Sequence, residues 1–171
     1  MAALARAVGG RLGLEPVELR EVIHTAELHD LGKLTLPDEI LEKEGPLDDE
    51  EWKLMRQHTV VGERIVTALP AVADVGPLVR SCHERWDGRG YPDGLAGVEI
   101  PLASRIVFAC DAFDAMTSAR PYQRRPKRRT EALGELEQCA GSQFDHRVVR
   151  ALVEELASSG GAGGEEGAMV G

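Results

Sequence analysis

The segment 82–95, with the sequence CHERWDGRGYPDGL, limits the possible folds more than any other part of the chain. It concentrates a thiol, an imidazole, carboxylates and arginines around three glycines and one proline. The glycines permit backbone conformations that other residues resist, and Pro92 prevents a helix from continuing through the segment. We therefore expect a loop rich in functional groups, held in place by the amphipathic helices around it.

Apolar periodicity elsewhere predicts helices, and no convincing alternation typical of a strand is present, so the predicted fold class is all-α. Helices are predicted over 2–12, from Pro16 to a stop at Gly32, from Asp48 through Val66, and over 72–85, 101–116, 130–140 and 145–157. Asp48, with a glutamate three residues later, has the pattern of a capping box. Residues 1–157 are expected to form one domain, and residues 158–171, rich in Gly, Ala and Glu, a disordered tail.

Composition argues against several classes of protein. A net charge of −9 is unfavourable for binding a nucleic acid polymer, although metal ions or a local basic cluster can still hold a small anionic ligand. The three cysteines are widely spaced and odd in number, which indicates a reducing compartment and no disulfide framework. No apolar run approaches the ~18 residues of a membrane-spanning helix. A cytoplasmic protein without a membrane segment is expected.

Imidazole and carboxylate groups at the predicted helix ends and faces indicate a metal site. The set comprises His29, Asp30, His58, His83 and Asp111. Such groups are ligands of first-row divalent metals, and an adjacent His-Asp pair can direct its carboxylate between two ions. Two ions ~3.5–4 Å apart form a common arrangement for hydrolysing a phosphodiester. Lys33 follows the pair closely enough to meet a phosphate oxygen.

Each of these residues also has an ordinary structural interpretation. A single histidine such as His58 is more often a satisfied core or surface residue than a ligand. Two acids three residues apart, as Asp111 and Asp114 are, normally lie on a solvated helix face. Their neighbours here are too apolar for that interpretation, and a buried carboxylate requires a partner or a metal.

In order and spacing, five segments of the chain resemble the HD-GYP family of bacterial phosphohydrolases, a branch of the HD superfamily. They are LHDLGKLTLPDEIL (28–41), GPLDDEEWKLMRQHTVVG (45–62), CHERWDGRGYPDGLAGVEIPLASRI (82–106), DAFDAMTSARPY (111–122) and AGSQFD (140–145). The HD pair alone is a weak signal. HDLGK, the DGRGYPDGL loop and the DAFDAMTS helix together are specific, and the resemblance extends over residues 4–155.

The resemblance implies an HD-superfamily helical bundle with an extended GYP loop, a truncated first helix and a site for two or three divalent ions, iron or manganese. By position, it implies metal ligands at His29, Asp30, His58, His83 and Asp111, and possible ligation by Cys82. Asp30 would be the bridging carboxylate. Phosphate would be met by Lys33 and Arg120, and Tyr91 and Asp114 would lie near the substrate.

The activity implied by the resemblance is hydrolysis of cyclic di-GMP to pGpG or GMP, by direct in-line attack without a covalent enzyme intermediate. Asp30 and Lys33 would then be the catalytic residues. The implied partners are diguanylate cyclases with a GGDEF domain, which would dock on the GYP loop, and a sensory or receiver domain upstream of residue 1.

Two departures from the family pattern leave alternatives open. Cys82 stands where the family usually has a histidine, so it is either a ligand through its thiolate or a small buried side chain that leaves the site one ligand short. The family's histidine in the first helix would precede Met1, so the domain is expected to be N-terminally incomplete. The alternative functions are a catalytically impaired module for cyclic di-GMP binding or protein docking, and a hydrolase of another cyclic dinucleotide.

Overall fold

The structure is a computed structural model that describes residues 1–118 and 125–160, with side chains described through residue 158. In these ranges the chain is helical, and its one β-type pairing is an isolated bridge between Ala140 and Phe144. The prediction of an all-α fold is confirmed. The α-helices are α1 (Ala2–Arg11), α2 (Pro16–Leu28), α3 (Asp38–Leu41), α4 (Asp49–Thr67), α5 (Gly76–Arg80), α6 (Leu102–Thr117), α7 (Arg129–Gln138) and α8 (His146–Gly160). Short 3-10 turns occupy Leu31–Thr35, Ala73–Val75, Ser81–His83 and Gly97–Glu99.

Helix α6 lies at the centre of the main core because it packs against α1, α2, α7 and α8. Seven of its residues are buried, and several are small, which lets the neighbouring helices approach closely. Ile106 and Val107 of α6 belong to the same buried cluster as Val22 of α2 and Leu152 of α8. A smaller cluster, Val66, Val75 and Val79, fastens α4 to α5. In the described residues no helix is long and apolar enough to span a membrane.

The predicted helix over 72–85 is interrupted. Its first part is a 3-10 turn, its middle is the short helix α5, and its last part, Ser81–His83, is again a 3-10 turn. Pro77 provides no backbone N–H, and Gly76 lies so close to α4 that an added Cβ would be 2.3 Å from Thr67 Oγ1. The prediction of a single bent helix is therefore wrong, and His83 ends a tight turn instead of a helix.

Other element ends follow the predicted signals. Asp48 accepts hydrogen bonds from the backbone of Glu50 and Glu51, and the Glu51 carboxylate accepts one from the Asp48 backbone, which completes the capping box. Pro16 opens α2 in the first turn, where its missing N–H costs nothing. The last helix continues to Gly160, and residues 161–171 of the predicted tail lie outside the described ranges.

A buried ion pair connects the GYP loop region to the helical bundle. Arg105 Nη1 donates to Asp145 Oδ2 at 2.6 Å, and the Asp145 side chain has no exposed surface. The guanidinium also lies 5.6 Å from the centroid of the Trp86 ring, and its Nε donates to the Ile100 carbonyl. Arg105 therefore joins α6, the start of α8 and the loop.

Replacing Arg105 by alanine is expected to destabilise the protein by ~3–5 kcal/mol, because it strands a buried carboxylate without its cation. The measurement is the free energy of unfolding in urea. Arg150→Ala, which removes an exposed arginine from α8, is the matched control and should change that free energy by less than ~0.5 kcal/mol. A loss of under ~1 kcal/mol for Arg105→Ala would contradict this role.

Candidate metal centre

The His29-Asp30 pair lies at the junction of α2 and the following 3-10 turn. His29 is the last residue with helical backbone, and Asp30 begins the turn. The junction packs directly on α4, since a Cβ added to Gly32 would lie 1.9 Å from the His58 carbonyl oxygen and 2.7 Å from the Gly62 nitrogen. Only glycine permits this approach, and the approach brings Asp30 to His58.

The side chains of the predicted ligand set converge at this junction. Asp30 Oδ1 lies 3.5 Å from His29 Nε2 and 3.8 Å from His58 Nε2. Asp111 Oδ1 lies 3.7 Å from His29 Nε2. The ligand atoms of Asp30, His58 and His83 all lie within 4.8 Å of one another. Donor atoms that share one ion are ~3–3.5 Å apart, because each lies ~2.1 Å from it, so small side-chain adjustments would suffice.

Backbone carbonyls orient two of the imidazoles. His29 Nδ1 lies 2.9 Å from the Ala26 carbonyl oxygen, and His58 Nδ1 lies 2.7 Å from that of Met55. Each Nδ1 therefore carries the proton and donates it, which leaves the Nε2 lone pair directed at the cluster. This is the arrangement in which histidine binds a metal.

The cluster contains buried polar atoms without hydrogen-bond partners. These are His29 Nε2, Asp30 Oδ1, His58 Nε2 and His83 Nε2. Burying a polar atom without a partner costs ~1–3 kcal/mol, and four such atoms close together are suited to share one positively charged partner. Nitrogen and oxygen donors in this number fit a divalent cation. The residues present therefore fit a metal centre.

Electrostatics divide the cluster into charged and neutral groups. Burial lowers the pKa of His58, and burial together with the neighbouring His58 lowers that of His83, so both are neutral near pH 7. Burial opposes protonation of His29, but the carboxylates of Asp111 and Asp30 outweigh it and raise its pKa. Burial likewise acts to raise the pKa of Asp30, but His29 and Lys33 lower it. The neutral imidazoles of His58 and His83 and the ionised carboxylates are in the forms that bind metal, whereas a protonated His29 would have to release its proton on binding a metal.

Two predicted residues near the substrate lie at the edge of the cluster. Lys33 Nζ donates to Asp30 Oδ2 at 2.8 Å, on the side of the carboxylate away from the histidines. The Tyr91 ring stacks on His83, with centroids 5.2 Å apart and planes 8° apart. Burial raises the pKa of the Tyr91 phenol, so the phenol stays protonated and can donate a hydrogen bond.

The GYP loop is held by buried and paired acidic groups. Glu84, 1% exposed, accepts hydrogen bonds at Oε1 from the backbone N–H groups of Asp93 (2.7 Å) and Gly94 (3.0 Å). Arg80 donates two hydrogen bonds to the Asp93 carboxylate and a third to Glu63 of α4. Since Glu84 directly follows His83, these contacts also position His83 and the loop residue Tyr91.

Three other predicted site residues lie elsewhere or outside the described ranges. Cys82 is 1% exposed within the main core, and its Sγ donates to the Leu78 carbonyl oxygen at 3.2 Å. Burial raises the pKa of its thiol well above the usual value, which disfavours the thiolate form that binds metals. The Asp114 side chain is 42% exposed and lies 3.9 Å from the Met1 amine, so the expectation that it is buried is wrong. Arg120 lies outside the described residues.

Sequence reasoning missed an aromatic and cationic rim beside the cluster. Arg56 Cζ lies 5.6 Å from the centroid of the Tyr91 ring and 5.9 Å from that of Trp52. Trp52 and Arg56 are four residues apart on α4, and His58 follows two residues later. The spacing places Trp52 and Arg56 on one helix face, but nothing in the sequence shows that Tyr91 meets that face.

A family model described as an HD domain matches residues 1–148 of this chain. The chain is 40% identical over 153 residues to a cyclic di-GMP phosphodiesterase of Thermotoga maritima. It is 41% identical over 155 residues to the cyclic di-GMP phosphodiesterase response regulator RpfG of Xanthomonas campestris pv. campestris. These matches cover 88% and 90% of this chain but 41% of each relative, so the chain spans less than half of their length.

A solved structure shows the same fold. A cyclic GMP-AMP-specific phosphodiesterase from V. cholerae matches with a TM-score of 0.72 at 20% sequence identity. The match covers 91% of this chain and 42% of the other. The helical bundle described above therefore has the same fold as this phosphodiesterase structure.

Proposed function

Because the chain belongs to the HD domain family, and within it to the HD-GYP branch, we propose that it is a metal-dependent phosphodiesterase that hydrolyses cyclic di-GMP to pGpG or GMP. The family predicted from the motifs is confirmed. The observation that carries the proposal is the convergence of buried, unpartnered donor atoms from His29, Asp30, His58 and His83. The names of the two relatives at 40% and 41% identity support cyclic di-GMP as the substrate.

The proposed site holds two divalent ions, iron or manganese. His29 and Asp111 would bind one ion, His58 and His83 the other, and Asp30 would lie between them. The near-equal separations of Asp30 Oδ1 from His29 Nε2 (3.5 Å) and from His58 Nε2 (3.8 Å) support this division. Imidazole and carboxylate donors suit both metals.

Bound metal ions would supply Lewis acidity to the phosphodiester and lower the pKa of a coordinated water. The chain's own residues bind and orient. Asp30 balances positive charge at the centre of the site, and Lys33, held against Asp30 Oδ2, presents its ammonium to a phosphate oxygen. Tyr91 closes the side of the site formed by His83, and its phenolic O–H can donate a hydrogen bond to the substrate. Contacts of Arg120 with phosphate and of Asp114 with substrate remain predictions.

Cys82 is assigned no ligand role, because its thiol is turned to the Leu78 carbonyl in the core. Cys82→Ala is expected to leave the metal content per chain unchanged, as measured by inductively coupled plasma mass spectrometry. The comparison variant is His83→Ala, at the adjacent position. Replacing a residue that only supports a ligand typically costs ~10–100-fold in metal affinity, so removal of the proposed ligand His83 should cost more than that. Loss of metal from Cys82→Ala would show that the thiolate is a ligand.

The proposal is tested by incubating cyclic di-GMP with the chain reconstituted anaerobically with iron or manganese, and identifying the products by mass spectrometry. We expect pGpG or GMP from the reconstituted chain and no product after chelator treatment. Absence of product under both metals would contradict the enzymatic proposal. If cyclic di-GMP still bound, that result would favour the second candidate, a catalytically impaired binding or docking module. The burial of Cys82 in the core, where it provides no ligand, supports that candidate.

Substrate choice is tested in the same assay. The name of the structural neighbour makes cyclic GMP-AMP the relevant competitor. Faster hydrolysis of cyclic GMP-AMP than of cyclic di-GMP would support the remaining alternative, a hydrolase whose substrate is another cyclic dinucleotide.

The finer partner assignments are also proposals. The GYP loop exposes Arg89, and Val98 in the 3-10 turn that follows the loop is 79% exposed. We propose the loop as the docking surface for diguanylate cyclases with a GGDEF domain. An attached sensory or receiver domain is supported by the greater length of the relatives, one of which is named a response regulator. A cytoplasmic location is also proposed, because the three cysteines are free, as is usual in a reducing compartment.

A further inference from the structure

A rim of two aromatic rings and one cation leads away from the metal centre. Tyr91 stacks on His83, Arg56 lies over the Tyr91 ring, and the same guanidinium lies over Trp52. We call Trp52, Arg56 and Tyr91 the aromatic rim. The Tyr91 ring centroid lies 5.2 Å from that of His83, and Arg56 Cζ lies 5.6 Å from the Tyr91 centroid and 5.9 Å from the Trp52 centroid. If one group of a ligand bound at the metal centre, the adjacent part of that ligand would lie beside the aromatic rim.

A cavity lies at the outer end of the aromatic rim. It has a volume of about 460 Å³ and is formed by α3, the segment after it and the first turns of α4. Its apolar walls are Ile40, Leu41, Pro46, Leu47, Trp52 and Met55. Lys43 Nζ donates to Glu51 Oε2 at 2.5 Å and ties the segment to α4. Pockets of ~300–1,000 Å³ with apolar walls are typical of small-molecule sites.

Arg56 has a free cationic group in this position. Within residues 1–118 and 125–158, its guanidinium makes no hydrogen bond or ion pair, and it lies beside the two rings. Two other arginines near this region are neutralised, since Arg80 of α5 pairs with Asp93 and Glu63, and Arg85 pairs with Asp87. In a chain with a net charge of −9, an unpaired guanidinium beside a metal centre favours a ligand with acceptor atoms.

We propose that the cavity and the aromatic rim form a subsite for one purine nucleotide of the substrate. The base stacks on Trp52 in the cavity, and Arg56 donates hydrogen bonds to the same nucleotide, while its phosphate lies at the His-Asp cluster. The proposal rests on the proposed function, because it takes the phosphate to be the group that the metal centre binds. It adds the two residues that recognise the rest of the nucleotide.

Trp52 is suited to this role. Its side chain is partly exposed, with 43% of the residue surface accessible, although it lines an apolar cavity. Stacking of a base on an aromatic side chain strengthens binding by ~5–150-fold, as judged from alanine substitutions. Arginine adds hydrogen bonds and a cation–π contribution at such sites.

The test measures binding of GMP and of inorganic phosphate to the metal-reconstituted chain by isothermal titration calorimetry. Trp52→Ala and Arg56→Ala are each expected to weaken GMP binding by about tenfold, because each removes a contact to the base or nucleotide. Phosphate binding should stay within about twofold, because phosphate reaches only the metal centre. Trp52→Phe should retain most of the affinity for GMP.

Tryptophan fluorescence provides a second readout. GMP is expected to quench the fluorescence of the wild-type chain, and Trp52→Phe should remove most of the quenching, since only Trp86 remains. The matched controls are Leu54→Ala and Arg64→Ala, which truncate exposed side chains of α4 that do not line the cavity. Both should bind GMP like the wild type.

The outcomes separate the subsite from the activity. Equal GMP binding by Trp52→Ala, Arg56→Ala and the controls overturns the subsite, as does failure of the wild type to bind GMP. If GMP binding depends on Trp52 but cyclic di-GMP is not hydrolysed, the subsite stands and the proposed phosphodiesterase activity fails.

Discussion

Replacing Asp30 by asparagine is expected to abolish measurable hydrolysis of cyclic di-GMP and to release bound metal. Asp30 Oδ1 lies between His29 Nε2 and His58 Nε2, and no other carboxylate of the described residues lies within 4 Å of both. The amide keeps the shape of the side chain but loses the charge and the bridging ability of a carboxylate. A loss of more than ~100-fold in kcat/KM is expected, since changes outside the ligands already cost ~10–100-fold.

The control for this variant is Asp74→Asn, which makes the same chemical change at an exposed residue of a 3-10 turn that is not part of the ligand cluster. It should leave metal content and kcat/KM within about threefold of the wild type. Circular dichroism of Asp30→Asn should show the wild-type helix content, so that lost activity is not lost folding. Retention of both metal and turnover by Asp30→Asn would refute the bridging role.

Replacing Gly32 by alanine is expected to destabilise the protein strongly. The new Cβ would lie 1.9 Å from the His58 carbonyl oxygen and 2.7 Å from the Gly62 nitrogen, and both are backbone atoms that cannot rotate away. Relief requires the 3-10 turn to move away from α4. We expect a loss of ~3 kcal/mol or more in the free energy of unfolding, at the upper end of overpacking effects.

The same displacement would separate Asp30 from His58, so folded Gly32→Ala protein should also bind metal weakly. Gly134→Ala is the matched control, because Gly134 lies inside α7 and an added Cβ would meet no atom within 4 Å. That change should raise the free energy of unfolding by ~0.5–1 kcal/mol, the usual gain for alanine over glycine within a helix. Gly32→Ala with wild-type stability would contradict the close contact between the turn and α4.

The sequence predicts those parts of the structure that depend on local chemistry. Asp48 begins a helix because its carboxylate caps it, and Pro16 begins one because it needs no N–H partner. The proposed ligand set could be assembled from the sequence because the HD pair, His58, the DGRGYPDGL loop and the DAFDAMTS helix occur in the order typical of the family. The helix over 72–85 was predicted wrongly because the contact of Gly76 with Thr67 is tertiary.

Other features of the site depend on packing between distant segments. The direction of the Cys82 side chain follows from its hydrogen bond to Leu78 and from the core around α6, which no spacing reveals. The Glu84 carboxylate is buried because it accepts hydrogen bonds from the backbone N–H groups of Asp93 and Gly94, nine and ten residues later in the chain. The aromatic rim appears only when Tyr91 of the loop is placed against Arg56 of α4.

The central proposal is that one carboxylate, Asp30, would lie between two divalent ions. It is tested most directly by the electron paramagnetic resonance spectrum of the chain reconstituted with manganese(II). Two ions ~3.5–4 Å apart and joined by a carboxylate should give a multiline spectrum of an exchange-coupled pair, with about two manganese ions per chain. A six-line spectrum of isolated manganese(II), with about one ion per chain, would contradict the two-ion site.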